Sequence, residues 1–70
     1  MTAKASPILI TALTRSMAEE AEAARRYRLR SRAALRAGHP ELAKLWEHVS
    51  KEEEGHYLEF NRARDRLTKG

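Results

Sequence analysis

Three ionisable residues, Glu20, Glu53 and His56, fall where a helical pattern in the sequence calls for apolar side chains. Glu53 and His56 form a Glu-x-x-His segment, and residues three apart share one face of a helix. On such a face the carboxylate can bridge two metal ions while the imidazole binds one of them. Because an unpaired carboxylate in an apolar interior costs several kcal/mol, two carboxylates and an imidazole that converge indicate a cation or a proton between them.

The first helix that must position these residues is predicted over about 7–37. Pro7 suits a first helical turn, where its missing N–H is not needed, and Ser6 before it suits the N-cap. Alanine, leucine and arginine are abundant after Pro7, and no helix breaker follows until Gly38 and Pro40. Gly38 suits the position just past a helix end.

The second helix is predicted over about 40–67, with Pro40 in its first turn and a turn over 38–40. Gly55 lies inside this helix and should cost roughly 1 kcal/mol against alanine. No pattern typical of a β-strand is present. The fold class is therefore all-α, a two-helix antiparallel hairpin in which residues 1–70 form one half of a helical bundle.

Each helix carries a stripe of apolar residues that only these ionisable groups interrupt in its middle. In the first helix the stripe comprises Ile10, Leu13, Met17, Glu20, Ala24, Tyr27, Ser31 and Ala34. In the second helix it comprises Leu42, Trp46, Val49, Glu53, His56, Phe60, Ala63 and Leu67. Counted from the turn, Glu20 and the Glu53–His56 pair differ by roughly 4 Å in height at 1.5 Å per residue, so the three should meet in one layer.

A second copy of the chain would complete both the bundle and the site. Two copies about a two-fold axis supply four glutamates and two histidines, the ligand set of two-metal carboxylate four-helix bundles. Two-fold dimers are also the commonest homo-oligomers, and a chain of 70 residues has only a marginal core of its own. We therefore expect the hairpin to dimerise into a four-helix bundle with metal between the chains.

Composition excludes several other classes of protein. The chain has no cysteine, which excludes disulfides, cysteine-based metal sites and a cysteine nucleophile. The longest apolar run is only Pro7 to Ile10, so we expect no membrane span and no secretory signal, and hence a cytoplasmic location.

Six arginines lie within twelve residues of the first helix, but they do not predict nucleic-acid binding. These are Arg25, Arg26, Arg28, Arg30, Arg32 and Arg36. They divide between both flanks of the apolar stripe, and no known DNA- or RNA-binding motif accompanies them. We expect them to pair with acids of the second helix, namely Glu41, Glu47, Glu52 and Glu59. His39 and His48 are interpreted as turn or surface residues.

The chain resembles the first half of a ferritin-like di-iron domain, in particular that of rubrerythrins. The resemblance covers about Glu20 to Phe60 and depends on the spacing of Glu20 to Tyr27, of Gly38 to His56, and on the Glu53-x-x-His56 segment. It also includes the run Leu42-Ala43-Lys44-Leu45-Trp46-Glu47. The resemblance implies that Glu20 and His56 are terminal iron ligands, that Glu53 is a bridging ligand, and that Tyr27 lies near the metals, although Tyr27 also fits a plain core position.

The resemblance implies an iron-dependent activity, with a di-iron site at the dimer interface. Because the second helix pair and the rubredoxin domain of rubrerythrins are absent from this sequence, the architecture is similar to that of encapsulated ferritins. The expected activity is that of a ferroxidase, which oxidises Fe(II) to Fe(III) with O2 or peroxide for storage or detoxification. That likeness also implies an encapsulin shell, or a ring of dimers, as a further partner.

Other interpretations stay open at this point. The residues alone would also accept manganese or zinc in place of iron. A non-enzymatic dimer held together by metal, a helical interaction module without metal, and rubrerythrin-like reduction of peroxide are the alternatives to ferroxidation.

Overall fold

The computed structural model describes residues 7–69, which form two long helices and no strand within that range. Helix α1 spans Pro7–Arg36 and helix α2 spans Pro40–Lys69. The predicted all-α hairpin is confirmed. Helix α1 ends one residue before the predicted position and α2 continues two residues beyond it, and the expected N-cap at Ser6 lies outside the described residues.

The turn between the helices is closed by backbone hydrogen bonds around Gly38. The N–H of His39 donates to the carbonyl of Ala34 at 2.9 Å, and the N–H of Gly38 donates to that of Leu35 at 3.1 Å. This pair of bonds is a Schellman motif, which needs a left-handed residue at the position of Gly38, whose φ is +85°. The carbonyl of His39 accepts the first hydrogen bond of α2 from Ala43, so three residues, 37–39, suffice to reverse the chain.

The two helices approach each other closely through small residues. Ser50 is buried in α2 and donates to the carbonyl of Ala24 at 3.1 Å, while Ser31 of α1 donates to the carbonyl of Ala43 at 2.8 Å. Ala24 and Ala43 are themselves buried. These reciprocal bonds fix the hairpin as antiparallel and set its register, with Ala24 opposite Ser50.

The stripe predicted on α1 lies against α2, since all eight of its members are buried or half-buried. The stripe predicted on α2 is only partly covered. Leu42, His56 and Leu67 are exposed, and Ala43 and Ser50 take the buried positions facing α1. The predicted stripe of α2 is therefore turned to one side of the hairpin and is not directed straight at α1.

The hairpin is elongated and has no core of its own beyond the seam between the helices. Its radius of gyration is 16.1 Å, whereas a compact chain of this length would have about 11 Å. Over residues 7–69 neither helix contains a stretch apolar enough to cross a lipid bilayer. The assembly of two hairpins into a four-helix bundle stays a prediction.

Candidate metal centre

The hairpin register brings the three predicted ligands to the same level. Glu20 lies four residues before Ala24, and Glu54 lies four residues after Ser50. Because Ala24 is opposite Ser50, Glu20 is level with Glu54, which lies between Glu53 and His56 in the sequence. Glu53 and His56 are three residues apart on α2 and share one of its faces. One ligand from α1 and two from α2 therefore meet halfway along the hairpin.

The distances in this cluster resemble those between ligands of one metal ion. His56 Nδ1 lies 3.5 Å from Glu20 Oε2 and 3.4 Å from Glu53 Oε1. One ligand atom of each residue lies within 4.8 Å of the other two. Two ligands bound at about 2.1 Å with bond angles between 90° and 109° are about 3.0–3.4 Å apart. The side chains thus need little movement to bind one ion.

The Glu20 carboxylate lacks a hydrogen-bonding partner that its burial demands. Its Oε2 atom is buried and accepts no hydrogen bond, although buried polar atoms in proteins are nearly always paired. Its side chain is 21% exposed overall, and that of Glu53 is 22% exposed. A cation at the cluster would neutralise this buried oxygen, so the residues present fit a metal.

The electrostatics of the cluster also favour a bound cation. The pKa of Glu53 is raised above its ordinary value, chiefly because its protonated form could donate a hydrogen bond to Glu20. Burial and the charge of Glu20 raise the pKa of Glu53 further, while His56 opposes the rise. Two carboxylates this close therefore favour a positive charge between them, which a cation would supply.

The two helices cover the glutamate side of the cluster, whereas its histidine side is open to solvent. The side chain of His56 is 51% exposed, more than twice the fraction of either glutamate. Three protein ligands leave coordination positions unfilled for any transition metal. His56, the most exposed of the three, belongs to the same stripe of α2 as the exposed residues Leu42 and Leu67.

Tyr27 lies outside the three-residue cluster. It is half-buried two helical turns from Glu20, about 10 Å along α1, and the Arg30 guanidinium lies 5.2 Å from the centre of its ring. A role for Tyr27 near the metals therefore stays a prediction. His48 is exposed and lies 3.6 Å from Glu52, in agreement with its interpretation as a surface residue.

The arginine pairing differs from the one expected. Arg28 reaches across to Glu54 of α2 at 2.7 Å, and Arg25 pairs with Glu22 of its own helix at 3.0 Å. Of the acids expected as partners, Glu47 pairs with Lys51 instead. The Arg28–Glu54 pair joins the two helices one residue from Glu53. The register places Glu54 level with Glu20 and not with Arg28, so no signal in the sequence marked this pair.

Sequence reasoning placed Ser31 on the α1 stripe but missed Ser50, and it did not predict that these serines set the register. Ser50 and Ala43 are seven residues apart, as are Ser31 and Ala24. Two small residues seven positions apart on each helix indicate close antiparallel packing. On α2 these small residues lie next to the larger apolar residues that were assigned to the stripe.

Comparison with known proteins identifies the family of the chain. Neither the curated proteins nor the solved structures gave a significant match. The family model of rubrerythrin matches residues 11–70, which include most of α1, all of α2 and all three residues of the cluster. Since this match extends over most of its length, the chain belongs to the rubrerythrin family.

Proposed function

We propose that the protein is a ferroxidase, with a di-iron site formed where two copies of the hairpin meet. The observation that carries this proposal is the convergence of Glu20, Glu53 and His56 at one level, with the buried Oε2 of Glu20 unpaired. Membership of the rubrerythrin family supports iron as the metal. Manganese and zinc would fit the same oxygen and nitrogen ligands.

The open side of the cluster supports a site shared between chains. One hairpin offers two carboxylates and one imidazole, which is few for two metal ions. A second hairpin would raise the set to four glutamates and two histidines. It would also cover His56 and the exposed leucines beside it, which one chain leaves in solvent.

The residues would act by holding Fe(II) and accommodating its change of charge. Glu20 and His56 would bind terminally, and Glu53, which neighbours both, would bridge. Two bound Fe(II) ions would supply two electrons, which with two protons would reduce O2 to hydrogen peroxide, or hydrogen peroxide to water. Carboxylates bind both oxidation states, and an entering ion would displace any proton shared between Glu20 and Glu53.

The Fe(III) product requires a destination outside the hairpin, which is too small to enclose a mineral. We propose that a ring of dimers or an encapsulin shell receives it, with the protein located in the cytoplasm. Analytical ultracentrifugation of the iron-loaded protein, alone and with an encapsulin, would measure such assemblies. Dimers that never associate further would contradict this part of the proposal.

The test compares Glu53→Ala with Glu52→Ala, a neighbouring glutamate that is exposed and outside the cluster. Formation of Fe(III) from Fe(II) is followed by absorbance, in parallel with O2 and with hydrogen peroxide, to identify the oxidant. Loss of a direct ligand should slow oxidation by roughly a hundredfold or more, whereas Glu52→Ala should match the parent protein. Unchanged oxidation in Glu53→Ala would refute the mechanism.

The second candidate is a non-enzymatic dimer held together by metal, because much apolar surface of α2 is exposed and needs a partner. The Glu53→Ala variant distinguishes this structural role from the ferroxidase. Light scattering gives the mass of each variant. A Glu53→Ala protein that stays dimeric but no longer oxidises Fe(II) supports the ferroxidase. If the parent protein oxidises no Fe(II) and Glu53→Ala becomes monomeric, the metal is structural.

A further inference from the structure

Met17 is the only large side chain that is buried in the seam between the helices within residues 7–69. It is 4% exposed, whereas the other buried residues of that range are three alanines and one serine. Its thioether is readily oxidised to a sulfoxide, and the chain has no cysteine thiol that would compete for an oxidant. An oxidisable sulfur atom therefore lies where solvent scarcely reaches.

The register of the hairpin places this sulfur at the level of the metal cluster. Ala24 lies opposite Ser50, and Met17 lies seven residues before Ala24, close to two helical turns along the same face of α1. Seven residues after Ser50 is Tyr57, which immediately follows His56. Met17 is therefore level with the residue next to one of the three candidate ligands.

Met17 is also a neighbour of a second candidate ligand on its own helix. Glu20 follows it by three residues, so the two side chains share one face of α1, with Cβ atoms about 5–6 Å apart. Side chains in a helix lean towards its N-terminus, so that of Glu20 leans towards Met17. The Oε2 atom of Glu20 is itself buried. A small molecule released at the cluster thus has the Met17 sulfur within about one helical turn.

We propose that Met17 is a modification site, oxidised by hydrogen peroxide that the protein itself produces. With O2 as the oxidant, the proposed function yields one hydrogen peroxide from two Fe(II), one O2 and two protons. That peroxide transfers one oxygen atom to the thioether: an S=O bond forms, the O–O bond breaks, and the second oxygen leaves as water. Sulfur is oxidised and peroxide is reduced. The inference rests on the proposed function and adds a limit to it.

The sulfoxide limits the activity because it places a polar group in an apolar part of the seam. Methionine sulfoxide is polar where methionine is not, and a buried polar group without a hydrogen-bonding partner destabilises a fold. The seam then loosens at Met17, one helical turn from Glu20, and Glu20 no longer stays level with the two ligands of α2. Oxidation of Fe(II) with O2 should therefore slow as Met17 is converted.

The variant Leu35→Met supplies a second methionine for comparison with Met17 in the same molecule. Leu35 is 62% exposed and lies about 22 Å from Glu20 along α1, and exchange of leucine for methionine conserves volume. Hydrogen peroxide added from solution should oxidise position 35 roughly tenfold faster than Met17, because exposure governs susceptibility. Trypsin separates the two positions into the peptides 16–25 and 33–36, whose sulfoxide content is measured by mass spectrometry.

Oxidation of Fe(II) should reverse that order, because the peroxide is then formed beside Met17. The Leu35→Met protein receives Fe(II) in repeated additions of one ion per chain, in oxygenated buffer with catalase, which destroys peroxide that escapes into solution. Met17 should carry roughly tenfold more sulfoxide than position 35. A protein that oxidises Fe(II) but leaves Met17 no more oxidised than position 35 refutes the inference and keeps the ferroxidase.

Glu53→Ala in the same Leu35→Met background identifies the source of the oxidant. With the cluster broken, the same additions of Fe(II) and O2 should leave Met17 reduced. Equal sulfoxide at Met17 in this variant would show that iron in solution is the source, which overturns the inference. A parent protein that oxidises no Fe(II) refutes the proposed function, and with it the origin of the peroxide.

Met17→Leu tests the limit on activity. It should begin at the rate of the parent protein and keep that rate over repeated additions, whereas the parent slows as sulfoxide accumulates. After chelation of the iron, the Tm of the oxidised parent by circular dichroism should be lower by roughly 4 °C or more, while that of Met17→Leu is unchanged. An oxidised parent that keeps both its Tm and its rate overturns the limit.

Discussion

Replacing Glu20 by glutamine should make the metal-free protein more stable and the metal-bound protein less stable. The buried Oε2 atom of Glu20 has no hydrogen-bonding partner, and such atoms cost about 1–3 kcal/mol. Because the side chain is 21% exposed, we take the lower end, about 1 kcal/mol. The glutamine amide can donate to Glu53 and removes the like charge. For a domain of this size, the expected gain in Tm without metal is about 4–8 °C.

The metal should reverse this order. Mn²⁺ is a suitable probe because it accepts the same ligands without being oxidised under these conditions. At a free concentration one hundred times its Kd, it stabilises the parent protein by about 2.7 kcal/mol. If loss of one carboxylate ligand weakens Mn²⁺ binding about a hundredfold, the same concentration stabilises Glu20→Gln by only about 0.4 kcal/mol. The two melting curves should therefore exchange places when the metal is added.

The assay is thermal unfolding followed by circular dichroism at one fixed protein concentration, with chelator and with Mn²⁺. Glu19→Gln is the matched control, since Glu19 is an exposed neighbour outside the cluster and its Tm should change little in either condition. If Glu20→Gln lowers the Tm of the metal-free protein, or keeps the full stabilisation by Mn²⁺, the assignment of Glu20 as an unsatisfied ligand is refuted.

Three further predictions concern the two glycines and the titration of the site. Gly55→Ala should stabilise the protein by about 0.5–1 kcal/mol in urea unfolding, because a Cβ there meets nothing within 4 Å and glycine weakens a helix interior; destabilisation would reveal a close neighbour. Gly38→Ala should destabilise the protein by about 1–2 kcal/mol in the same assay, because the φ of +85° strains any residue with a Cβ even though no atom lies within 4 Å. An unchanged urea midpoint would contradict the Schellman turn. The raised pKa of Glu53 stabilises the metal-free fold below pH 4.5, and this contribution is lost as pH rises through the folded pKa. Without metal, the stability of the parent protein relative to Glu53→Gln should therefore fall between a pH below 4.5 and neutral pH. A difference in urea midpoint between the two proteins that is the same at both pH values would contradict this prediction.

The sequence was sufficient to predict the fold and the cluster because both depend on strong local signals. Gly38 and Pro40 mark a single turn, and helical periodicity places Glu20, Glu53 and His56 on the apolar stripes at similar distances from it. Counting at 1.5 Å per residue then brings them level, as the structure confirms. These steps need no knowledge of how the helices are rotated about their axes.

The rotation of α2 was not predictable from the size of its apolar residues. The apolar stripe favours Leu42 and Val49, but Ala43 and Ser50 face α1, because small residues let the backbones approach and let Ser50 reach the carbonyl of Ala24. A polar serine does not count as a core residue in a hydrophobic pattern. The partner of Arg28 was missed for the same reason, since it depends on which side of α2 presents Glu54.

The hairpin has a consequence for any attempt to join two copies into one chain. Pro7 and Lys69 lie at the same end, opposite the turn at Gly38. In a dimer whose two-fold axis runs perpendicular to the helices, the open ends of the two copies lie at opposite ends of the bundle. A covalent linker from one copy to the next must then run the length of a 30-residue helix, about 45 Å, which takes at least about 13 extended residues. A shorter linker would strain the fused protein or drive it to exchange hairpins between molecules.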